Sequence, residues 1–158
     1  MKIKLNKDYA VRHLFVTVLM AALGCWFAYD GVITYPSMTP NELYRSIEGA
    51  DAPAEWTSEK LDAFKKQKTQ TQYGFAGISL LAAFVVGLRL FKASKFDFTF
   101  DETSFTYNGR KFARTDIAEV DRSKWESKSI AVLKLKGAPS ITLDAWHHVG
   151  VNEFVATL

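Results

Sequence analysis

Two adjacent histidines near the C-terminus, His147 and His148, are the clearest candidates for chemistry in this chain of 158 residues. Neighbouring side chains on a helix point about 100° apart, so the pair is poorly placed to hold one metal ion. The sequence near them contains no cysteine. We therefore expect structural or interfacial histidines rather than metal ligands.

Other residue types that support catalysis or cofactor binding are sparse. His13 lies beside Arg12 at the start of an apolar stretch, where a histidine could ligate haem or a pigment, but we favour a position among lipid headgroups. The chain has no Gly-x-Ser-x-Gly elbow and no glycine-rich phosphate loop, and Asp101-Glu102 has the composition of a turn. The sequence predicts no enzyme, no cofactor and no metal.

Two apolar blocks, Leu14–Tyr29 and Tyr73–Leu88, contain no charged residue. A membrane-spanning helix needs roughly 20 mostly apolar residues. The segments Ala10–Tyr29 and Tyr73–Phe91 reach that length with charged residues only near their ends. Neither has an acid or base near its centre, which argues against transport or proton relay. The sequence predicts an α+β membrane protein with two transmembrane helices.

The first block also contains an alternative to a spanning helix. Residues 22–25, Ala-Leu-Gly-Cys, resemble a lipobox, where a signal peptide is cleaved and the cysteine carries lipid, and lysines precede them as in a signal peptide. However, Trp26–Tyr29 continue the apolar run, whereas a lipoprotein becomes polar directly after its cysteine. We favour an uncleaved helix that contains Cys25 as a small buried residue.

The positions of lysine and arginine predict the orientation of the two helices. Bases are concentrated before the first helix and after the second, at Lys2, Lys4, Lys7, Arg12, Arg89, Lys92 and Lys95. The connecting segment, residues 30–72, is richer in acids than in bases, although Lys65, Lys66 and Lys68 oppose the trend. We expect a bacterial inner-membrane protein with an N-terminal tail and first helix (1–29), an extracytoplasmic loop, a second helix (73–91) and both termini in the cytoplasm.

Small residues line one face of each apolar helix. They are Ala21, Gly24, Cys25 and Ala28 on the first helix, and Ser79, Ala83 and Gly87 on the second. Small side chains let helix backbones approach closely in lipid, where the hydrophobic drive for association is absent. The pattern leaves two arrangements open: a hairpin packed on itself, or docking against a larger membrane protein.

The segment between the two blocks has signs of helical structure. Residues 39–42, Thr-Pro-Asn-Glu, form a capping-box pattern that predicts a short helix ending near Glu48. The Thr-Ser pair at 57–58 is expected to cap a second helix that runs on into the second apolar block. We expect the aromatic residues Trp56 and Phe64 to contact the membrane surface or a partner.

Residues 95–158 form a different kind of domain. Aromatic and polar residues alternate there, which is typical of half-buried strands, at Phe96, Phe98, Phe100, Phe105 and Tyr107. Asn108-Gly109 predicts a hairpin turn. Further strands are expected at Phe112–Val120, Ser129–Lys136 and Ser140–Leu143. From Asp144, as its N-cap, we expect a helix that covers the sheet with Trp146, Val151, Phe154, Val155 and Leu158.

About five antiparallel strands followed by a helix, behind two membrane helices, resemble the bacterial pleckstrin-homology-like (PH-like) domains. The resemblance lies in residues 96–120, which include an Asp116-Ile117 step after the opening hairpin, and in "IAVLKLKG", "SITLD" and the closing helix. It covers residues 95–158 and implies a small antiparallel sheet or barrel with more strands than the five predicted here, which leaves open a five-stranded sheet packed on one helix. It also implies binding or scaffolding rather than catalysis.

The PH-like domains that bind lipid headgroups use basic residues near an early strand turn. This domain carries a comparable basic set: Arg110, Lys111, Arg114, Lys124 and Lys128. Under a bilayer, each base would gain about 1 kcal/mol from anionic lipid. Since residues 92–158 contain almost as many acids as bases, we favour an ordinary solvated surface over a lipid site.

Taken together, these features favour a non-catalytic accessory or scaffolding subunit of a larger integral-membrane complex, with respiratory or photosynthetic complexes as natural hosts. Its partners would be the bilayer and other membrane subunits. A net charge of +3, scattered along the chain, does not suggest a nucleic-acid partner. The alternative is a stand-alone, membrane-anchored module that binds lipid headgroups.

Overall fold

Segments from the two ends of the chain fold together in the computed structural model, which describes residues 1–158. One compact unit comprises Met1–Leu14 and Leu88–Leu158, and the other comprises Phe15–Gly87. The protein is mixed α+β, with two long apolar helices and antiparallel sheets. That part of the predicted fold class is confirmed.

Eight strands in the first unit form two sheets. They are β1 (Lys2–Leu5), β2 (Phe98–Phe100), β3 (Ser104–Tyr107), β4 (Arg110–Ala113), β5 (Ile117–Lys124), β6 (Ile130–Leu135), β7 (Ala138–Asp144) and β8 (His148–Val149). The first sheet has the order β4-β3-β2-β1-β8 and the second β5-β6-β7, and every described pairing is antiparallel.

The N-terminal strand β1 lies inside the five-stranded sheet, between two strands from the C-terminal part of the chain. Ile3 pairs with Phe98 of β2, and Lys4 pairs with Val149 of β8. The Ile3 side chain is only 1% exposed and belongs to the core. The sequence predicts a tail at these residues, whereas the structure places them in the sheet, so the domain is not confined to residues 95–158.

Aromatic side chains from the alternating strands form the centre of this core. The ring of Phe154, from the C-terminal helix, lies 5.0 Å from that of Phe98 and 4.8 Å from that of Phe100. Phe98, Phe105 and Phe154 are all fully buried. The period-two pattern therefore predicted which side of these strands is buried, and each aromatic pair adds about 0.5–1.5 kcal/mol beyond its area burial.

The long C-terminal helix expected from Asp144 is not formed. Asp144 ends β7, and β8 follows. Of the residues predicted to form the helix, only Val151–Ala156 are helical, as α6. The break occurs at Gly150, whose φ of 97° places it in the left-handed region that favours glycine. Asp144 caps a turn by accepting the backbone N–H groups of Trp146 and His147, at 2.9 and 3.2 Å.

The strand predicted over Phe112–Val120 is also interrupted. A short 3₁₀ turn at Arg114–Asp116 separates β4 from β5, and the Asp116 carboxylate accepts the Ala113 N–H at 2.8 Å.

The hairpin turn predicted from Asn108-Gly109 is confirmed, since both residues have positive φ values, 49° and 78°.

The β2–β3 turn is organised by one carboxylate. Asp101 accepts the backbone N–H groups of Thr103 (2.9 Å) and Ser104 (2.7 Å) and the Ser104 hydroxyl (2.9 Å). These hydrogen bonds favour the charged form and lower the pKa of Asp101 well below its ordinary value of 3.8. The composition of residues 101 and 102 predicted this turn.

Replacing Asp101 with Asn is expected to lower the melting temperature of the domain at neutral pH. Because the folded-state pKa of Asp101 is depressed, its stabilising contribution is present above about pH 4 and is lost as the pH falls below that value. Thermal unfolding at pH 7 and near pH 2.5 should show a gap between wild type and variant that narrows in acid. A constant gap would contradict this, and Glu102→Gln at the neighbouring exposed acid is the control.

Helices account for the second unit. α1 (Lys7–Tyr29) continues through a π-helical turn (Asp30–Thr34) into α2 (Tyr35–Ser37), and α3 (Pro40–Glu48) and α4 (Ser58–Ser94) follow. The predicted capping box of α3 forms, with the Thr39 N–H donating to the Glu42 carboxylate at 2.7 Å. As predicted, α4 begins after Thr57, which accepts the Lys60 N–H at 3.3 Å, and runs without a break.

The aromatic residues of the connecting segment pack on one another. Tyr44 lies 5.1 Å from both Trp56 and Phe64, measured between ring centroids. The Lys65 ammonium donates to the backbone carbonyls of Pro36 (3.0 Å) and Met38 (2.5 Å). The segment thus has its own small core, in which these three rings are half-buried against one another.

The helices Lys7–Ser37 and Ser58–Ser94 are long and apolar enough, by length and composition, to cross a membrane. Only 11% of the most apolar window of each is buried within the protein. The exposed side chains there are mostly large and apolar, including Val11, Phe15, Ile78, Leu81 and Phe84. This is the distribution expected of helices surrounded by an apolar solvent.

Candidate functional site

The small residues of the two long helices meet at one helix–helix contact. Ser79 and Ala83 of α4 are buried, and Gly24 of α1 is buried against Leu80. A Cβ atom at Gly24 would lie 2.6 Å from Leu80 Cγ, and one at Gly87 would lie 3.4 Å from Thr17 Cγ2. The predicted face is therefore used within the chain, with Ala21 and Ala28 half-buried beside it.

Cys25 does not belong to this contact. Its thiol side chain is exposed, which contradicts the expectation of a small buried residue. The reason is helical geometry, because the side chain of residue 25 is rotated by about 100° around the helix axis from the position of Gly24.

A second set of small residues on α4 was not singled out from the sequence. Gly74 and Gly77 are exposed, and a Cβ atom added to either would contact nothing within 4 Å. Glycine within a helix costs about 1 kcal/mol relative to alanine, and neither glycine relieves a clash inside this chain. The sequence signal that could have identified them is their spacing of three residues within an apolar stretch, which places both on one side of a helix. We call this pair the glycine face.

The five basic residues proposed as a headgroup site are dispersed. Arg110 and Lys111 lie exposed on β4, Lys124 ends β5 and Lys128 ends a short helix, α5 (Trp125–Lys128). Arg114 is already engaged, donating to the Asp101 carbonyl at 3.1 Å through Nε and to the Thr157 hydroxyl at 2.8 Å through Nη1. Arg114 therefore acts as a clamp between the β2–β3 turn and the C-terminus.

The two C-terminal histidines have different surroundings. Nδ1 of His147 lies 3.2 Å from the Asp144 carboxylate, while burial lowers the pKa of His147 against the opposing effect of that carboxylate. His148 is buried, and its Nε2 donates to the Ala93 carbonyl at 3.0 Å, which ties β8 to the end of α4. The ring of Tyr9 packs between those of His13 (3.9 Å) and His147 (4.3 Å).

These histidines do not converge on a common ligand position. No three His, Cys, Asp or Glu side chains come together in an arrangement that could hold a metal ion. The contacts of His148 and Tyr9 join strand, turn and helix, which is a structural use of these side chains.

Comparison with protein-family models, with curated proteins and with solved structures gives no match for this chain. The function must therefore be inferred from the chain itself.

Proposed function

We propose that the protein crosses the bacterial inner membrane twice, with both termini in the cytoplasm. The pairing of β1 with β2 and β8 supports this topology, because the chain before α1 and the chain after α4 belong to one folded unit. If both long helices cross the membrane, that unit has to lie on one side. The bases that flank the helices on that side favour the cytoplasm.

We further propose that the folded unit is a PH-like domain. Two antiparallel sheets and a C-terminal helix whose Phe154 fills the core support this assignment. Residues 95–158 alone contain seven strands, β2–β8, which is more than the five predicted from the sequence. Such a domain implies binding or scaffolding, and fold alone does not identify the ligand.

As its function, we propose a non-catalytic accessory or scaffolding subunit of a larger integral-membrane complex, with respiratory and photosynthetic complexes as candidate hosts. The observation that carries this proposal is the glycine face of α4. Gly74 and Gly77 weaken the helix and pack against nothing in this chain. In lipid, such a surface allows the backbone of another helix to approach closely.

The other surfaces considered from the sequence contribute less. The face with Ser79 and Ala83 is occupied by α1, and Trp56 and Phe64 pack with Tyr44. The docking role therefore falls to the glycine face, supplemented by the exposed parts of the cytoplasmic domain.

Replacing Gly77 with Leu is expected to release the protein from its complex. The new side chain has free space within this chain, but it would clash with an approaching partner helix. A clash of this kind weakens a helix–helix contact by about 1–3 kcal/mol. The fraction of protein that co-purifies with partner subunits after gentle detergent extraction should fall about fivefold or more.

The matched control is Ile78→Leu, which keeps a large apolar side chain at an exposed position one residue away. It should leave co-purification unchanged. Full assembly of the Gly77→Leu variant would show that the glycine face is not the docking surface.

The alternative is a stand-alone module that binds lipid headgroups through its basic set. Exposed Arg110 and Lys111 favour it, whereas the engagement of Arg114 with Thr157 weakens it. Extraction of the protein from the membrane by itself, without partner subunits, would favour this alternative.

A further inference from the structure

A groove beside the start of α1 combines lysines with exposed apolar side chains. Its volume is about 640 Å³. The side chains that matter are Lys4, Lys7, Met1 and Val149, and we call this set the lysine groove. None of them was singled out as a binding residue from the sequence.

The charge of the groove is not neutralised by its surroundings. Lys2, at its edge, pairs with Asp97 at 3.3 Å, whereas Lys4 and Lys7 are exposed and form no ion pair. Asp8 is the single acid among the lining residues. Two free ammonium groups thus face a cavity that an anion could enter.

The apolar part of the groove distinguishes it from an ordinary basic surface. Met1 and Val149 are 62% and 55% exposed, whereas the other large apolar residues of this sheet are buried or half-buried. β8 pairs with β1 only at Lys4 and Leu5. The end of β1 that carries Met1 is therefore left uncovered on the β8 side.

The position of the groove indicates which anion would meet it. Lys7 is the first residue of α1, and exposed apolar side chains begin at Val11, about 6 Å further along the helix axis. In the topology proposed above, this is the depth of the lipid headgroups. Lysine ammonium groups at that depth attract anionic lipid.

We propose that the lysine groove binds the headgroup of an anionic phospholipid. The phosphate lies between Lys4 and Lys7, the headgroup beyond it contacts Met1 and Val149, and the acyl chains extend along α1 past Val11 into the bilayer. This proposal rests on the membrane location of the protein but not on the partner complex. It places a lipid site on the N-terminal strand, away from the basic set of β4, β5 and α5.

The test measures phospholipid binding by the full-length protein in neutral detergent, using native mass spectrometry with phosphatidylglycerol and with zwitterionic phosphatidylcholine. Wild type should prefer phosphatidylglycerol. The double variant Lys4→Gln/Lys7→Gln should bind it about 25-fold more weakly, at about fivefold for each lysine.

The matched control removes the same charge elsewhere on the domain, with Lys92→Gln/Lys95→Gln, two exposed lysines at and just after the end of α4. Retained phosphatidylglycerol binding in this control, with loss in the groove variant, supports the proposal. Equal loss in both variants would show a diffuse surface charge and overturn it. No loss in the groove variant, or full displacement of the lipid by inorganic phosphate, would also overturn it.

Failure of this test is distinguishable from failure of the membrane assignment. Recovery of the protein in the membrane fraction, and its resistance to alkaline extraction, are measured first on the same preparation. A soluble protein contradicts the proposed topology, whereas a membrane-embedded protein without lipid preference contradicts only the lysine groove.

Discussion

Replacing Ile3 with Asp is expected to unfold the domain formed by the two sheets, although Ile3 lies more than ninety positions from β2 in the sequence. Ile3 is 1% exposed and pairs with Phe98 in the middle of the sheet. Loss of the aliphatic side chain costs about 2–5 kcal/mol, and burial of an unpaired carboxylate adds several more. The total is comparable with the whole stability of a small domain.

Limited proteolysis of the full-length protein in detergent measures this effect. The variant should be cleaved rapidly within residues 98–158, where wild type is protected. Lys4→Asp introduces the same side chain at the next, exposed position of β1 and should leave protection unchanged. Equal protection of wild type and Ile3→Asp would mean that β1 is not part of the domain.

Replacing Gly24 with Leu is expected to separate the two long helices. Even a Cβ atom at this position would lie 2.6 Å from Leu80 Cγ and 3.2 Å from the Leu80 backbone nitrogen, so side-chain rotation alone does not relieve the clash. Overpacking of this kind costs about 1–3 kcal/mol. The midpoint for unfolding of the helices by denaturing detergent should fall accordingly.

The control for this change is Ala22→Leu, on the exposed side of α1. It should leave the midpoint where it is in wild type. Because Gly24 lies in the unit Phe15–Gly87, proteolytic protection of the β domain should be the same in both variants. An unchanged midpoint for Gly24→Leu would contradict the helix–helix contact described here.

The elements that were predictable from the sequence are those specified by local patterns. Helix α3 has its capping box within four residues, and α4 is an uninterrupted run of helix-compatible residues. The Asn108-Gly109 turn depends only on the φ preferences of its own two residues. In each case the relevant interaction joins residues close together in the chain.

The elements that were missed depend on contacts between distant residues. Lys2–Leu5 is too short for alternation to indicate a strand, and it is fixed by pairing with residues 98–99 and 148–149. The C-terminal helix was predicted too long because apolar spacing outweighed Gly150, whose left-handed conformation ends β8 and begins α6.

The candidate surfaces, too, were predictable only as far as they depend on local sequence. Small residues indicated that the helices pack closely, but only the structure separates the internal contact at Gly24 and Ser79 from the unpacked Gly74 and Gly77. Composition suggested that Arg114 is a surface base, whereas its hydrogen bonds to Asp101 and Thr157 engage it in the fold. Which side of a helix or strand is free is a tertiary property.

The proposed subunit role is tested most directly by the native mass of the full-length protein after gentle detergent extraction, with identification of whatever co-migrates. The proposal predicts a large assembly that contains the protein in fixed stoichiometry with other integral-membrane subunits. Migration as a lone monomer or a small homo-oligomer would contradict it.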